Sequence, residues 1–167
     1  MSEFNNNTIS IKELMGKSFL VEKYQRGYKW GIQQVQELLT DIYDFDRGGI
    51  ESFYCLQPLV IKTLTENEYE LIDGQQRLTT MTLLYLALYR FALDNDMEEK
   101  AAEINETILI NRFVKEDSSK LKLKQTDVNA KAFRYLMNEN KPSDYNEYSR
   151  IIDNYNHFFN EIGRAHV

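Results

Sequence analysis

The chain has 167 residues, of which 43% are hydrophobic and 13% aromatic, and it contains only two prolines and seven glycines. This length suits one domain that buries roughly 70% of its unfolded surface, and the composition excludes a disordered chain. The single cysteine, Cys55, excludes an internal disulfide framework, and together with only two histidines it excludes an ordinary zinc cluster. The net charge of −6 excludes the overall basic footprint of a nucleic-acid-binding domain.

Three features of the sequence predict a cytoplasmic protein. The single cysteine fits a reducing compartment. The longest apolar run, Leu83–Leu88, is too short to cross a bilayer. The first residues, Met1–Thr8, are acidic and rich in asparagine, which is not the pattern of a signal peptide.

Hydrophobic periodicity predicts a mixture of strands and helices in the first half of the chain. The expected elements are a short helical or turn segment over Ile9–Met15 that Ser10 caps, a strand over Phe19–Lys23, a helix from Ile32 to the pair Gly48-Gly49, a β-hairpin of Leu59–Leu64 and Tyr69–Ile72, and a helix over Leu78–Leu93. The last of these helices is apolar almost all the way round, which is typical of a buried central helix.

The second half of the chain is predicted to be helical. The expected helices cover Glu98–Val114, Asp127–Met137 with Asp127 as its N-cap, and Ser143–Asn160. An aromatic and aliphatic stripe along the last helix, which we assign to the core, comprises Tyr148, Ile151, Ile152, Tyr155, Phe158 and Phe159. Strands with one helix, followed by more helices, predict an α+β fold.

The end of the chain breaks the helical pattern that precedes it. Residues 162–167, IGRAHV, have no periodicity and no helix stop signal, and a widely used sequencing adapter read in frame spells the same residues. We therefore expect a motif-bearing region over residues 1–95, a helical extension of the same domain over 96–160 and a non-native tail over 161–167. The natural protein is expected to continue beyond residue 160.

Charge is unevenly distributed along the chain. The stretch Arg112–Arg134 has seven basic and three acidic residues, a local excess that can meet phosphates. A solvated surface is the simpler interpretation and the one we favour, because such patches are common and are screened at cellular salt.

The most informative segment, Asp73–Thr80, has the sequence DGQQRLTT and lies between a predicted strand and the buried helix. A helix N-terminus has unpaired N–H groups and is a natural anion site, and Gly74 lets a ligand approach the backbone. Arg77 can form a forked pair with a phosphate, while the two glutamines can orient a water or hold a base. The aspartate can hold a metal ion or polarise a nucleophile.

A purely structural interpretation of this segment stays open. Asp73 and Gln76 have the spacing of a capping box, so both could simply close the helix end. Gly74 could serve ordinary turn geometry. The segment is not a Walker loop, because no Gly-Lys-Ser/Thr follows the glycine.

A second segment, Tyr24–Trp30, alternates aromatic or basic residues with Gln25, Gly27 and Lys29. Alternation predicts that Tyr24, Arg26, Tyr28 and Trp30 share one face. Arg26 could be a stacked cation or could reach a phosphate alongside the motif arginine. The alternative is an aromatic edge on the core with the arginine in an internal salt bridge, and Trp30 is expected in the core.

Three segments in this order and spacing, YQRGYKW at 24–30, LQPLVI at 56–61 and IDGQQRLTT at 72–80, resemble the N-terminal domain of GmrSD-type restriction enzymes. That domain belongs to the ParB/sulfiredoxin-like superfamily. The resemblance is strong over Ile9–Arg90 and looser over the later helices, including the run KLKL before Asp127. It implies a small mixed β-sheet packed on helices, followed by a helical region.

The resemblance also implies a function in bacterial defence against phage, in which modified DNA is cut. The motif loop would bind a nucleoside triphosphate with Mg²⁺ and support its hydrolysis. This NTPase activity would be coupled to a separate nuclease domain, usually of the HNH kind, in the same chain or on a partner. That nuclease signature is missing here, since His157 is the one usable histidine.

The resemblance assigns the nucleotide site to nine residues. They are Tyr24, Gln25, Arg26, Asp73, Gly74, Gln75, Gln76, Arg77 and Thr79. Arg77 would contact the phosphates with Arg26 in support, and Asp73 would hold Mg²⁺ or the attacking water. Gln75 and Gln76 would orient these groups.

Two other functions stay open at this point. A non-hydrolytic module could bind DNA or a modified base at the same loop, with Tyr28 or Trp30 stacking on the base. Alternatively, the domain could bind a protein partner and the motif could be only a helix cap.

Overall fold

A computed structural model describes residues 8–48 and 56–166. Residues 1–7, Gly49, Cys55 and Val167, named above, therefore lie outside the described residues. Its elements are α1 (Ile11–Met15), β1 (Ser18–Val21), α2 (Ile32–Gly48), β2 (Val60–Thr63), β3 (Glu68–Asp73), α3 (Gln75–Asp94), α4 (Glu98–Ile104), a π-helical turn (Asn105–Leu109), β4 (Leu121–Leu123), α5 (Val128–Met137), a 3₁₀ turn (Pro142–Asp144) and α6 (Arg150–His166). The predicted α+β class is confirmed. No helix within the described ranges is both long and apolar enough to cross a membrane.

The four described strands form one mixed sheet in the order β2-β3-β1-β4. β2 and β3 are antiparallel, which confirms the predicted hairpin. β1 lies between β3 and β4 and is parallel to both, with Phe19 opposite Tyr69 on one side and Leu121 on the other. The carboxyl ends of these three strands therefore meet at one edge of the sheet.

The core lies between the sheet and the helices that cover it. α3 packs along α6, and residues all round α3 are buried, which confirms the predicted central helix. Phe133 of α5 and both Ile151 and Phe158 of α6 are at most 1% exposed. Burial of each such side chain contributes about 1.5–3 kcal/mol to folding, so these helices are held mainly by apolar packing.

Local capping was predicted well. Ser10 Oγ accepts from the Glu13 N–H at 3.2 Å and Glu13 Oε2 accepts from the Ser10 N–H at 3.1 Å, a complete capping box on α1. Asp127 Oδ1 accepts from the Ala130 N–H at 2.8 Å, which confirms the predicted N-cap of α5. Such contacts lie within one turn and depend on local sequence alone.

Two predicted helices need correction, and one strand was missed. The helix expected over Glu98–Val114 ends at Leu109, and the chain then forms β4, a strand that the sequence analysis missed. β4 has only three residues, too few for alternation to be recognised. The last helix begins at Arg150 instead of Ser143, because a 3₁₀ turn intervenes, so Tyr148 is 74% exposed and is not part of the core stripe.

The segment between β1 and α2 is irregular, so its alternation does not define one face. Tyr24 and Arg26 are exposed whereas Tyr28 is 5% exposed and Trp30 packs partly against the core. The proposed internal salt bridge is absent, since Arg26 belongs to none of the ion pairs among residues 8–48 and 56–166. At the other end of the chain, α6 includes residues 161–166, and the rings of Phe91 and His166 lie 5.2 Å apart.

Candidate functional site

A cleft lies at the carboxyl ends of the parallel strands. Its lining comprises Val21, Arg26, Tyr28, Gln75, Gln76, Thr79, Leu123, Gln125, Asp127 and Ala130. These residues come from the ends of β1 and β4, from the segment before α2, and from the first turns of α3 and α5. The carboxyl ends of parallel strands are where ligands bind in open α/β sheets.

Within the part of the chain that the structure describes, no side chain caps the α3 N-terminus at this cleft. Gly74, its N-cap residue, has φ +94°, and a Cβ there would lie 2.2 Å from Leu59 Cδ2. The first backbone hydrogen bond of the helix joins the Leu78 N–H to the Gly74 carbonyl at 3.0 Å. The amides of residues 75–77 precede this bond and take no part in it. The capping-box interpretation of Asp73 and Gln76 is therefore wrong, and the first turn keeps unpaired donors and partial positive charge.

Gln76 holds the segment before α2 in place. Its Nε2 donates to the Gly27 carbonyl at 3.2 Å, and its Oε1 accepts from the Lys29 N–H at 2.7 Å and from the Trp30 N–H at 3.3 Å. Gln76 is 8% exposed. Because its oxygen already accepts two hydrogen bonds, the structure gives this side chain a positioning function.

Gln75 differs from its neighbour although it is equally buried, at 9% exposed. Its Nε2 donates to the Arg26 carbonyl at 3.1 Å, but its Oε1 is buried and has no partner among the described residues. A buried acceptor without a donor costs about 1–3 kcal/mol, and the residue lines the cleft. A ligand that supplies an N–H or O–H donor would relieve that cost.

A directed chain of hydrogen bonds lies beneath the cleft. Thr80 Oγ1 donates to the Gln76 carbonyl at 2.7 Å, so the Tyr28 hydroxyl must donate to Thr80 Oγ1 at 2.6 Å. Asn154 Nδ2 of α6 donates to the Tyr28 hydroxyl at 3.0 Å. Burial raises the pKa of Tyr28 to about 12, so the hydroxyl stays protonated and the chain keeps its direction.

Arg77 lies away from the cleft. Its Nη1 donates to Gln57 Oε1 at 2.6 Å and its Nη2 to the Pro58 carbonyl at 3.0 Å. Two positions along a helix correspond to a rotation of about 200°, so Arg77 and Gln75 project to opposite sides of α3. The structure thus gives the arginine a contact with the segment before β2.

Four more of the predicted residues, Tyr24, Gln25, Asp73 and Gly74, also lie outside the cleft lining. Tyr24 donates to Glu70, and Gln25 Nε2 donates to the Ile72 carbonyl at 3.2 Å, so both attach their segment to β3. Asp73 is exposed at the end of β3. Within the described residues no three His, Cys, Asp or Glu side chains form a group that could hold a metal ion. Arg26, Gln75, Gln76 and Thr79 are the predicted site residues that line the cleft.

Comparison with known protein families shows to which family this chain belongs. The family model described as GmrSD restriction endonuclease, N-terminal domain, matches residues 4–166. The chain belongs to this family. No curated protein matches the chain. The resemblance predicted from the three motif segments is thus confirmed, and the chain is a component of restriction endonucleases, enzymes that act on DNA.

Two residues of this GmrSD domain lie in the cleft although the sequence analysis did not assign them to the site. Gln125 is 7% exposed and its Nε2 donates to the Glu22 carbonyl at 3.3 Å. Asp127 was identified only as a helix cap. Recognition of β4 would have found both, because they follow a strand whose carboxyl end lies beside those of β1 and β3.

The basic stretch of the GmrSD domain is largely paired within the chain. Arg112 binds Glu106 and Lys124 binds Asp117, with N–O distances of 2.9 and 3.1 Å. Lys122 lies 3.9 Å from Glu68. Lys120 and Arg134 donate to the carbonyls of Thr107 and Leu123. These contacts agree with a solvated surface and weaken the case for a continuous phosphate-binding patch.

Proposed function

We propose that this GmrSD domain binds a nucleoside triphosphate with Mg²⁺ at the cleft, and that it hydrolyses the nucleotide to regulate DNA cutting. The observation that carries the proposal is the uncapped N-terminus of α3 beside the buried, unpaired oxygen of Gln75. Gln75 and Gln76, in the first turn of α3, line the cleft at the carboxyl edge of the parallel strands. An uncapped helix start attracts an anion, and the unpaired oxygen requires a donor, so a ligand with both kinds of group fits.

The phosphates are expected at α3 and not at α5, although both helices begin at the cleft. The start of α5 already has the Asp127 carboxylate on the Ala130 N–H, and a second anion there would be repelled. Arg26 is exposed and lines the cleft, so its guanidinium is available to an anion there. A charge-assisted pair from this arginine, added to the amides of the first turn, gives the phosphates several donors.

The acidic residues fit a metal that is held mainly by the nucleotide. Mg²⁺ in such sites binds one or two carboxylates together with substrate phosphates, so a cluster of three acidic side chains is not required. Asp73 is the candidate ligand, because it is exposed directly before the uncapped turn of α3. When bound, the metal neutralises charge on the phosphates, while the protein positions them.

Family membership supports a regulatory role in restriction. A domain of a restriction endonuclease that binds nucleotide can couple the nucleotide state to a nuclease domain. We propose an HNH-type partner, in the same chain or in another, and a biological role in defence against phage with modified DNA. The alternative, binding of DNA or a modified base without hydrolysis, uses the same cleft.

Nucleotide-dependent stabilisation tests the proposal. Thermal unfolding of the protein is measured with each of the four ribonucleoside triphosphates, with and without Mg²⁺, and phosphate release is measured in parallel. A ligand at 100 times its dissociation constant stabilises the fold by about 2.7 kcal/mol. Arg26→Ala should weaken the shift at least fivefold in apparent affinity, whereas Lys23→Ala, an exposed cation on the same segment, should not. If no triphosphate changes the melting temperature but DNA does, the binding module is the correct function.

A further inference from the structure

Two hydrogen-bond acceptors of the cleft have no donor among the residues that the structure describes. Gln75 Oε1 is one of them, and its orientation is determined because Nε2 donates to the Arg26 carbonyl, which can only accept. Asp127 supplies the other. Its Oδ1 caps α5, while its Oδ2 has no hydrogen-bond partner among the described residues and lies against Gly27.

Gly27 makes room for this second oxygen. A Cβ at position 27 would lie 1.7 Å from Asp127 Oδ2, so any side chain there would displace the carboxylate. The absence of a side chain thus brings the Asp127 carboxylate, from the chain after β4, against the segment that also presents Arg26. The cleft is therefore lined by the Arg26 cation, by residues of the uncapped start of α3 and by the acceptor-only Asp127 carboxylate at the start of α5.

Phosphate oxygens are acceptors and cannot satisfy either group. The two oxygens need N–H or O–H donors, which a nucleotide has only on its nucleoside: the ribose hydroxyls and the amino or imino groups of the base. We propose that Asp127 and Gln75 are specificity residues that bind these nucleoside donors. This inference rests on the proposed nucleotide function and adds to it, because it names the groups of the nucleotide, other than the phosphates, that the protein recognises.

Asp127→Asn is the variant that separates recognition from folding. Asparagine caps a helix as well as aspartate does, so its carbonyl can still accept from the Ala130 N–H while an amide donor replaces Oδ2. Asp144→Asn removes the same charge from an exposed position outside the cleft lining and is the matched control. Gln75→Met is a second variant that removes the other acceptor at similar side-chain length.

Calorimetric affinities are measured for the four ribonucleoside triphosphates, their 2′-deoxy forms and inorganic tripolyphosphate, with and without Mg²⁺. Asp127→Asn should weaken the best nucleotide by about tenfold to a hundredfold, as expected when a charged acceptor is lost. Tripolyphosphate should bind unchanged or up to severalfold tighter, because it meets one negative charge fewer. A deficit that disappears with 2′-deoxynucleotides identifies the ribose 2′-hydroxyl as the donor, and one that persists assigns the donor to the 3′-hydroxyl or the base.

Four results would overturn the inference. Equal weakening of tripolyphosphate and nucleotide would mean that the carboxylate acts on the phosphate region, and a loss seen only with Mg²⁺ would make it a metal ligand. Unchanged nucleotide affinity in both Asp127→Asn and Gln75→Met refutes specificity while leaving the proposed function intact. Failure of the wild-type protein to bind any nucleotide or tripolyphosphate refutes both.

Discussion

Replacement of each of the two adjacent glutamines by methionine should have opposite consequences for stability and binding. Gln75 and Gln76 are equally buried, at 9% and 8% exposed, and methionine has a similar length without hydrogen-bonding groups. Gln76 makes three hydrogen bonds to backbone groups of residues 27–30, and Gln75 makes one, to the Arg26 carbonyl. The pair is therefore an internally matched test of which glutamine positions the segment and which binds ligand.

The magnitudes follow from these counts. Loss of the three Gln76 bonds, at about 1 kcal/mol each and more where a backbone group stays unpaired, should lower the free energy of unfolding by about 3–5 kcal/mol. Gln75→Met loses one bond but also removes an unpaired buried oxygen, so the net change should be about 0–1 kcal/mol. Binding should show the reverse order, because the unpaired oxygen is what a ligand would satisfy.

Urea unfolding followed by circular dichroism measures both free energies, and calorimetry with the tightest nucleotide measures binding of Gln75→Met. If the free energy of unfolding depends on urea concentration with the same slope as in the wild type, both variants still unfold in one transition. Equal destabilisation by the two substitutions would refute the positioning function of Gln76. A Gln75→Met protein that is stable and binds nucleotide like the wild type would refute the assignment of the unpaired oxygen.

Three further predictions concern the backbone and the buried network. Gly74→Ala should destabilise the protein by about 1–3 kcal/mol in thermal unfolding, because φ is +94° and the new Cβ would meet Leu59, whereas Gly163→Ala in α6 has open space and should stabilise by about 0.5–1 kcal/mol. Tyr28→Phe should cost about 1–2 kcal/mol in urea unfolding, since the Asn154 amide and Thr80 Oγ1 each lose a partner. The pKa of Tyr28 is raised from about 10 in the unfolded chain to about 12 in the fold. The stability that this shift provides is therefore complete below pH 10 and is lost as the pH rises towards 12, by up to about 3 kcal/mol. Tyr28→Phe should make the free energy of unfolding less dependent on pH over that window.

Sequence alone determined the features that depend on neighbours along the chain. Helical periodicity predicted α2, α5 and the central α3, and the caps at Ser10 and Asp127 follow from contacts three residues apart. The motif DGQQR, with the two segments at 24–30 and 56–61 that precede it, was enough to predict the GmrSD family that the comparison confirms. These features were predictable because hydrogen bonds and periodicity within one turn are encoded locally.

Only the tertiary structure decided which residues of the DGQQR motif lie at the cleft and which contact another segment. Gln75 and Gln76 contact residues 26–30, nearly fifty positions earlier, and Arg77 contacts residues 57 and 58 on the other side of the helix. Asp127 reaches the cleft because β4 pairs with β1, a three-residue contact between distant segments. No local sequence pattern specifies these contacts. The angle at which each side chain leaves its helix and the sheet order of β3, β1 and β4 together determine which side chains come together at the carboxyl edge.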